Sequence, residues 1–139
     1  MKQYTSYSEK NTKQIAQNIA QEFKSGVVAL IGELGTGKTI FVQGFAQGLG
    51  ITDKVISPTF VLIRQHKIPQ TEKTLFHIDL YRIENIENLN QLGLKDLWLD
   101  KRNIILIEWA QELENLLPAN TTWIKIEKRK GNTRLITIF

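Results

Sequence analysis

The chain has 139 residues, 42% hydrophobic and 23% charged, which suits one soluble domain with a real core and leaves too little length for two. It contains no cysteine, so disulfides and thiolate metal sites are excluded, in keeping with a reducing cytoplasm. A net charge of +4 reads as a small solvated basic surface that still permits an acidic partner or RNA.

The opening segment, MKQYTSYSEKNTK, is polar and lacks the apolar centre of a signal peptide. No apolar run later in the chain reaches the ~20 residues that a bilayer span needs, so a cytoplasmic protein with no membrane partner is expected. Lys2–Tyr7 alternates weakly and predicts a short edge strand. Ser8 is placed to cap a helix whose apolar positions are Ile15, Ala16, Ile19, Ala20 and Phe23, and Ser25-Gly26 ends it.

The stretch that follows carries the chemistry. Val27–Ile31 is an unbroken apolar run leading into Gly32-Glu33-Leu34-Gly35-Thr36-Gly37-Lys38-Thr39, which fits G-x-x-x-x-G-K-[ST]. A polyphosphate must lie against several backbone N–H groups at once, so the chain has to curl tightly with little side-chain bulk. The N–H groups of Gly35, Thr36, Gly37, Lys38, Thr39 and Ile40 are the expected cradle, helped by the positive end of the next helix. Lys38 would reach the terminal phosphates, and the Thr39 hydroxyl would hold Mg²⁺. A glycine turn with a surface lysine is the bland alternative, but a buried strand before the loop and an apolar-periodic helix after it favour a nucleotide site.

That helix is expected over Lys38–Leu49, stopped at Gly48–Gly50, with Gly44 allowing close packing against the sheet. Pro58 biases Ser57 away from helix, so residues 55–60 read as a loop leading into a strand that runs to Ile63. Ser57 and Thr59 could sense a γ-phosphate from such a switch loop, or could simply be turn residues. His66–Thr74 reads as a polar turn, Leu75–Arg82 as a strand, Ile83–Leu92 as a short helix and Leu94–Leu99 as a helical turn. Asn103–Glu108 is the second strongly buried strand. Leu113, Leu116 and Leu117 mark a short helix closed by Pro118, and Thr122–Lys128 with Thr133–Phe139 predicts a hairpin. The expected fold is a single α/β domain over residues 1–139, P-loop NTPase-like. A mostly parallel central sheet is flanked by helices and ends in an antiparallel C-terminal hairpin.

A phosphate loop needs an acid across the metal from Thr39, at the carboxyl end of a neighbouring strand. Asp79, after LFHI, and Glu108, after IILI, both qualify, and either could instead be a simple strand-end acid. His66 and His77 read as satisfied or exposed side chains rather than general bases. Trp98, Trp109 and Trp123 read as packing residues, with Trp109 alone in place to border a nucleotide. The run Lys125, Lys128, Arg129, Lys130 and Arg134 reads as a solvated face.

Four blocks, GELGTGKT at 32–39, SPTF at 57–60, HIDLYR at 77–82 and IEW at 107–109, occur in an order that resembles the TsaE (YjeE) family across essentially the whole chain. Glu33 stands where members usually have Asp, Thr36 where they have a small residue, and Ala110 where many have proline. The resemblance implies an Mg²⁺-dependent ATPase that binds ATP/ADP and works with TsaD and TsaB to make threonylcarbamoyladenosine in tRNAs reading ANN codons. Contact with tRNA would come through that complex. It also implies that Lys38 binds phosphates, that Thr39 and Glu108 bind Mg²⁺, and that Asp79 is a catalytic or metal-organising carboxylate. Thr12 and Arg134 would lie near the adenine. A small-molecule kinase would share the loop but usually carries an arginine-rich lid, and a GTPase would need N-K-x-D, which is missing from the sequence. A nucleotide-dependent scaffold without turnover is the remaining alternative.

Overall fold

The uninterrupted apolar run of β2 (Gly26–Ile31) can be buried only if both faces of its sheet are covered. In the computed structural model, which describes residues 1–33, 35–52, 63–80, 93–110 and 115–139, both are. The other strands are β1 (Lys2–Ser6), β3 (Ile63–Lys67), β4 (Thr74–Asp79), β5 (Asn103–Glu108), β6 (Thr122–Lys128) and β7 (Arg134–Ile138). The helices are α1 (Glu9–Glu22), α2 (Lys38–Gly48) and α3 (Leu94–Leu99).

Among the described residues the strands form one seven-stranded sheet in the order β1-β7-β6-β2-β5-β4-β3. The centre, β6-β2-β5-β4, is parallel, and β7, β1 and β3 add antiparallel margins. This is the expected parallel core with a C-terminal hairpin, widened by two further antiparallel strands. None of the described helices is long and apolar enough to cross a membrane.

Alternation along the strands divides the core in two. Val28, Leu30, Leu75, Ile104, Leu106, Ile124 and Ile126 face α1 and α2, where they meet Ala16, Ala20, Phe41 and Phe45. Val27, Ala29, Phe76, Ile78, Ile105 and Ile107 face the other way, toward Leu94, Leu97, Trp98, Trp109 and Trp123. All three tryptophans therefore pack against this second cluster.

The local signals explain the helix ends. Ser8 caps α1 by accepting the Asn11 N–H at 3.0 Å. Helix α2 ends in a Schellman arrangement: Gly50 N–H donates to Gln47 O at 3.0 Å and Ile51 N–H to Ala46 O at 3.1 Å, with Ile51 buried behind them.

Two expectations are corrected. His66 lies within β3, paired with Leu75, and the turn begins only at Ile68, whose N–H donates to Lys73 O at 3.0 Å. Polarity there marks a strand at the margin of the described sheet, where side chains meet water, rather than a turn. Gly44 faces α1, not the sheet: a Cβ at this position would lie 2.5 Å from Lys13 O, and one at Gly48 2.5 Å from Gln17 O. The readings of Ser57, Pro58 and Thr59, of the Ile83–Leu92 helix and of Leu113 fall outside the described residues.

Candidate nucleotide site

The loop leaves β2 at its carboxyl end, where the next strands in the sheet, β5 and β6, lie on opposite sides. Such reversals leave a crevice outside the strand ends. Gly32 sits where a side chain has no room, since a Cβ would approach Ile126 O to 2.7 Å and Thr36 Oγ1 to 2.8 Å. Gly35 (φ 79°) and Gly37 (φ 100°) take left-handed backbone angles, and Gly37 opens α2 as its N-cap. No side chain caps the N-terminus of α2, so its first N–H groups remain available to an anion. Thr39 and Ile40 occupy the first turn of the same helix.

The curl is braced from inside and outside. The Thr36 hydroxyl donates to Glu33 O at 2.9 Å, so this residue, where small ones are usual, closes the loop on itself. From β7, Arg134 donates through Nε to Thr36 O at 3.0 Å and through Nη2 to Gly35 O at 3.5 Å. The run of cations in which Arg134 was grouped is thus divided. Its guanidinium holds the loop backbone, while Lys125 and Arg129 are exposed and paired with Glu127.

Two pockets flank the loop. One, of about 390 Å³, is lined by residues that include Thr12, Gly35, Gly37, Ile40, Asn132 and Arg134. Thr12 is buried and lies 2.6 Å from Ser6 through the two hydroxyls. Because the Ser6 hydroxyl donates to Ser8 O, the shared hydrogen comes from Thr12, which leaves the Thr12 oxygen an acceptor. The second pocket, of about 410 Å³, borders Gly32, Glu33, Trp109, Lys125 and Lys128.

Lys38 is buried, and its Nζ donates to Gly32 O and to Glu33 O. The ammonium also lies 3.8 Å from the centre of the Trp109 ring, a cation–π contact. Trp109 reaches this position through a left-handed backbone (φ 60°), uncommon for a bulky residue, which turns the chain immediately after Glu108. Burial lowers the Lys38 pKa below its ordinary value, against the opposing pull of Glu108, Asp79 and Glu33.

Asp79 and Glu108 are register partners at the ends of β4 and β5, and Glu108 is in turn opposite Leu30 of β2. Both carboxylates are almost fully buried and, by alternation with Leu75 and Leu106, face the α2 side of the sheet. His77, two residues before Asp79 on the same face, is completely buried, and its Nε2 lies 2.5 Å from Glu108 Oε2. The sequence reading of His77 is a satisfied or exposed side chain; it is buried, with Nε2 on a candidate site carboxylate and Nδ1 without a hydrogen-bond partner among the described residues. The alternation His77, Asp79 contained the signal that the two share a face.

Among the described residues no three His, Asp or Glu side chains converge to hold a metal by themselves. One hydroxyl and one or two carboxylates beside a phosphate loop are nevertheless the hard oxygen donors that suit Mg²⁺, which usually keeps several waters and takes phosphate oxygens. The residues present fit that ion. The structure brings Lys38, Asp79 and Glu108 together, and places Thr12 and Arg134 beside the loop's first pocket.

Residues 6–136 match the family model described as TsaE, Threonylcarbamoyl adenosine biosynthesis protein TsaE. A relative from Bacillus subtilis (strain 168), named tRNA threonylcarbamoyladenosine biosynthesis protein TsaE, is 41% identical over 127 residues, covering 91% of this chain and 77% of the relative. One of the same name from Rickettsia conorii (strain ATCC VR-613 / Malish 7) is 35% identical over 137 residues, covering 97% of this chain and 76% of its own. The crystal structure of Bacillus subtilis YdiB superposes with a TM-score of 0.82 at 33% identity, covering 99% of this chain and 83% of that one. With its loop, its strand-end acids and these relatives in agreement, the chain belongs to the TsaE family of threonylcarbamoyladenosine biosynthesis proteins.

Proposed function

We propose that this protein is an Mg²⁺-dependent ATPase of the cytoplasm that supports threonylcarbamoyladenosine modification of tRNA alongside TsaD and TsaB. The observation that carries the reading is the convergence of a phosphate loop, the buried Lys38 and two register-paired buried carboxylates at adjoining strand ends. The base would lie in the pocket of Thr12, Ile40 and Arg134, and the phosphates along the N–H groups of Gly35 to Ile40. The Thr12 oxygen, as an acceptor, suits the adenine amino group.

Catalysis in such a site is positioning plus electrostatic stabilisation. Lys38 places its positive charge on the terminal phosphates, and the charged acceptors replace two neutral carbonyls. Thr39 and Glu108 would hold Mg²⁺, which when bound offsets charge on the β- and γ-phosphates. Asp79 orients the attacking water, whose oxygen bonds to the γ-phosphorus as the bond to ADP breaks. Trp109 covers Lys38 and limits access of bulk water.

The test separates the two acids. Glu108→Ala should raise the Mg²⁺ concentration needed for turnover, whereas Asp79→Ala should lower the maximal rate even at saturating Mg²⁺. Rescue of Asp79→Ala by excess Mg²⁺, with Glu108→Ala inactive throughout, would reverse the assignment. Nucleotide binding without turnover in the wild-type protein, alone and with TsaB and TsaD, would leave a scaffold as the function.

A further inference from the structure

The contact between His77 and Glu108 has a consequence for the metal site. We infer that His77 is a positioning residue: its imidazole fixes the Glu108 carboxylate so that one oxygen is committed to the protein and the other is left for the ion. The inference rests on the reading of Glu108 as an Mg²⁺ ligand.

His77 is completely buried, Glu108 is 2% exposed, and Nε2 and Oε2 are 2.5 Å apart. The contact is diagonal across the sheet. His77 is paired with Leu106, while Glu108 is paired with Asp79, so the imidazole reaches two pairs further along the parallel ladder, to the next residue on the same face. A carboxylate can only accept, so Nε2 carries the ring hydrogen and donates it to Oε2. Nδ1 is buried and has no hydrogen-bond partner among the described residues. The hydrogen bond that the ring makes there is therefore the one directed at Glu108.

Two physical effects follow. A glutamate has three side-chain torsions, and a buried donor on one oxygen restricts them before any ion arrives, which reduces the ordering cost of binding. The donor also offsets negative charge where Asp79 and Glu108 stand side by side. Partners of metal-ligating carboxylates typically contribute about 10- to 100-fold in metal affinity or activity.

The experiment compares His77→Leu, His77→Gln and Glu108→Ala with wild type. The first readout is the ratio of ADP affinity with Mg²⁺ to that in EDTA, by calorimetry. The second is the Mg²⁺ concentration at half-maximal ATPase rate. Leucine conserves bulk and removes the donor; glutamine restores a donor of comparable reach. His77→Leu should cut the affinity ratio and raise the Mg²⁺ requirement by about 10-fold or more, with ADP affinity in EDTA unchanged. His77→Gln should recover most of both.

A purely structural histidine would leave the Mg²⁺ ratio at its wild-type value in His77→Leu, and that result overturns the inference. So does an equal loss of affinity with Mg²⁺ and in EDTA. If the leucine variant does not fold, His77→Asn, which keeps an amide that falls short of Glu108, should show the same Mg²⁺-specific shift; its wild-type behaviour would overturn the inference as well. Wild-type Mg²⁺ dependence in Glu108→Ala would instead remove the ligand reading of Glu108, and the inference with it.

Discussion

A buried ammonium is the most exposed point of the site to experiment. Lys38 is held by two backbone carbonyls and the Trp109 ring, and burial lowers its pKa from the ordinary 10.5. A lysine whose pKa falls on folding holds fewer protons in the native chain than in the unfolded one across the window between the lowered value and 10.5. Its contribution to stability therefore rises with pH through that window. Measured by urea denaturation, the stability of wild type relative to Lys38→Met should increase from neutral pH toward pH 10; a constant difference would mean that the ammonium is not desolvated. The same substitution should weaken ATP binding by about 10- to 100-fold, since a hydrogen bond to a charged group is worth about 1.5–3 kcal/mol.

At the level of elements, α1 and α2 approach closely because α2 presents Gly44 and Gly48 to the backbone at Lys13 and Gln17. Phe23 meets Phe45 edge to face, with ring centres 5.9 Å apart, and closes one end of the same seam. The seam matters for the site, since α1 carries Thr12 and α2 begins with Lys38. Gly44→Ala would gain up to about 1 kcal/mol of helix propensity. The new methyl would meet Lys13 backbone atoms at 2.5–2.9 Å, however, and backbone cannot yield as a flexible side chain does. Overpacking of this kind costs about 1–3 kcal/mol, so a net loss of stability is expected, measured as a lower urea midpoint. A midpoint at or above that of wild type would show that the helices can separate without penalty.

For the whole molecule, the single sheet places the loop, its brace Arg134 and both acids at one end of the strands. Turnover by the isolated protein is expected to be slow and to change on association. A TsaB–TsaD complex should bind differently with ATP, with ADP and without nucleotide. By linkage, whichever state it prefers will bind its nucleotide more tightly in return. Association measured in the three states, with the ATPase rate taken with and without the complex, checks this. Equal association and an unchanged rate would leave nucleotide-dependent partnership without support.

Features whose physical cause is local were legible along the chain. The loop was legible because phosphate binding requires glycines, a lysine and a hydroxyl at fixed spacing. The two buried strands declared themselves by continuous apolar runs, the start of α1 by Ser8, and Asp79 and Glu108 by their places at strand ends. Alternation along β4 also carried the signal that His77 shares a face with Asp79. What depends on residues far apart in the chain meeting in space followed from the fold. The register of β4 against β5 brings His77 to Glu108, 31 positions later. The β7 strand carries Arg134 to the loop carbonyls 98 and 99 positions earlier, and the left-handed Trp109 lays its ring over Lys38. The sequence places Gly44 against the sheet because a helical period shows that a face is buried but not what buries it. It makes His66 a turn residue because polarity marks contact with water, which turns and marginal strands share.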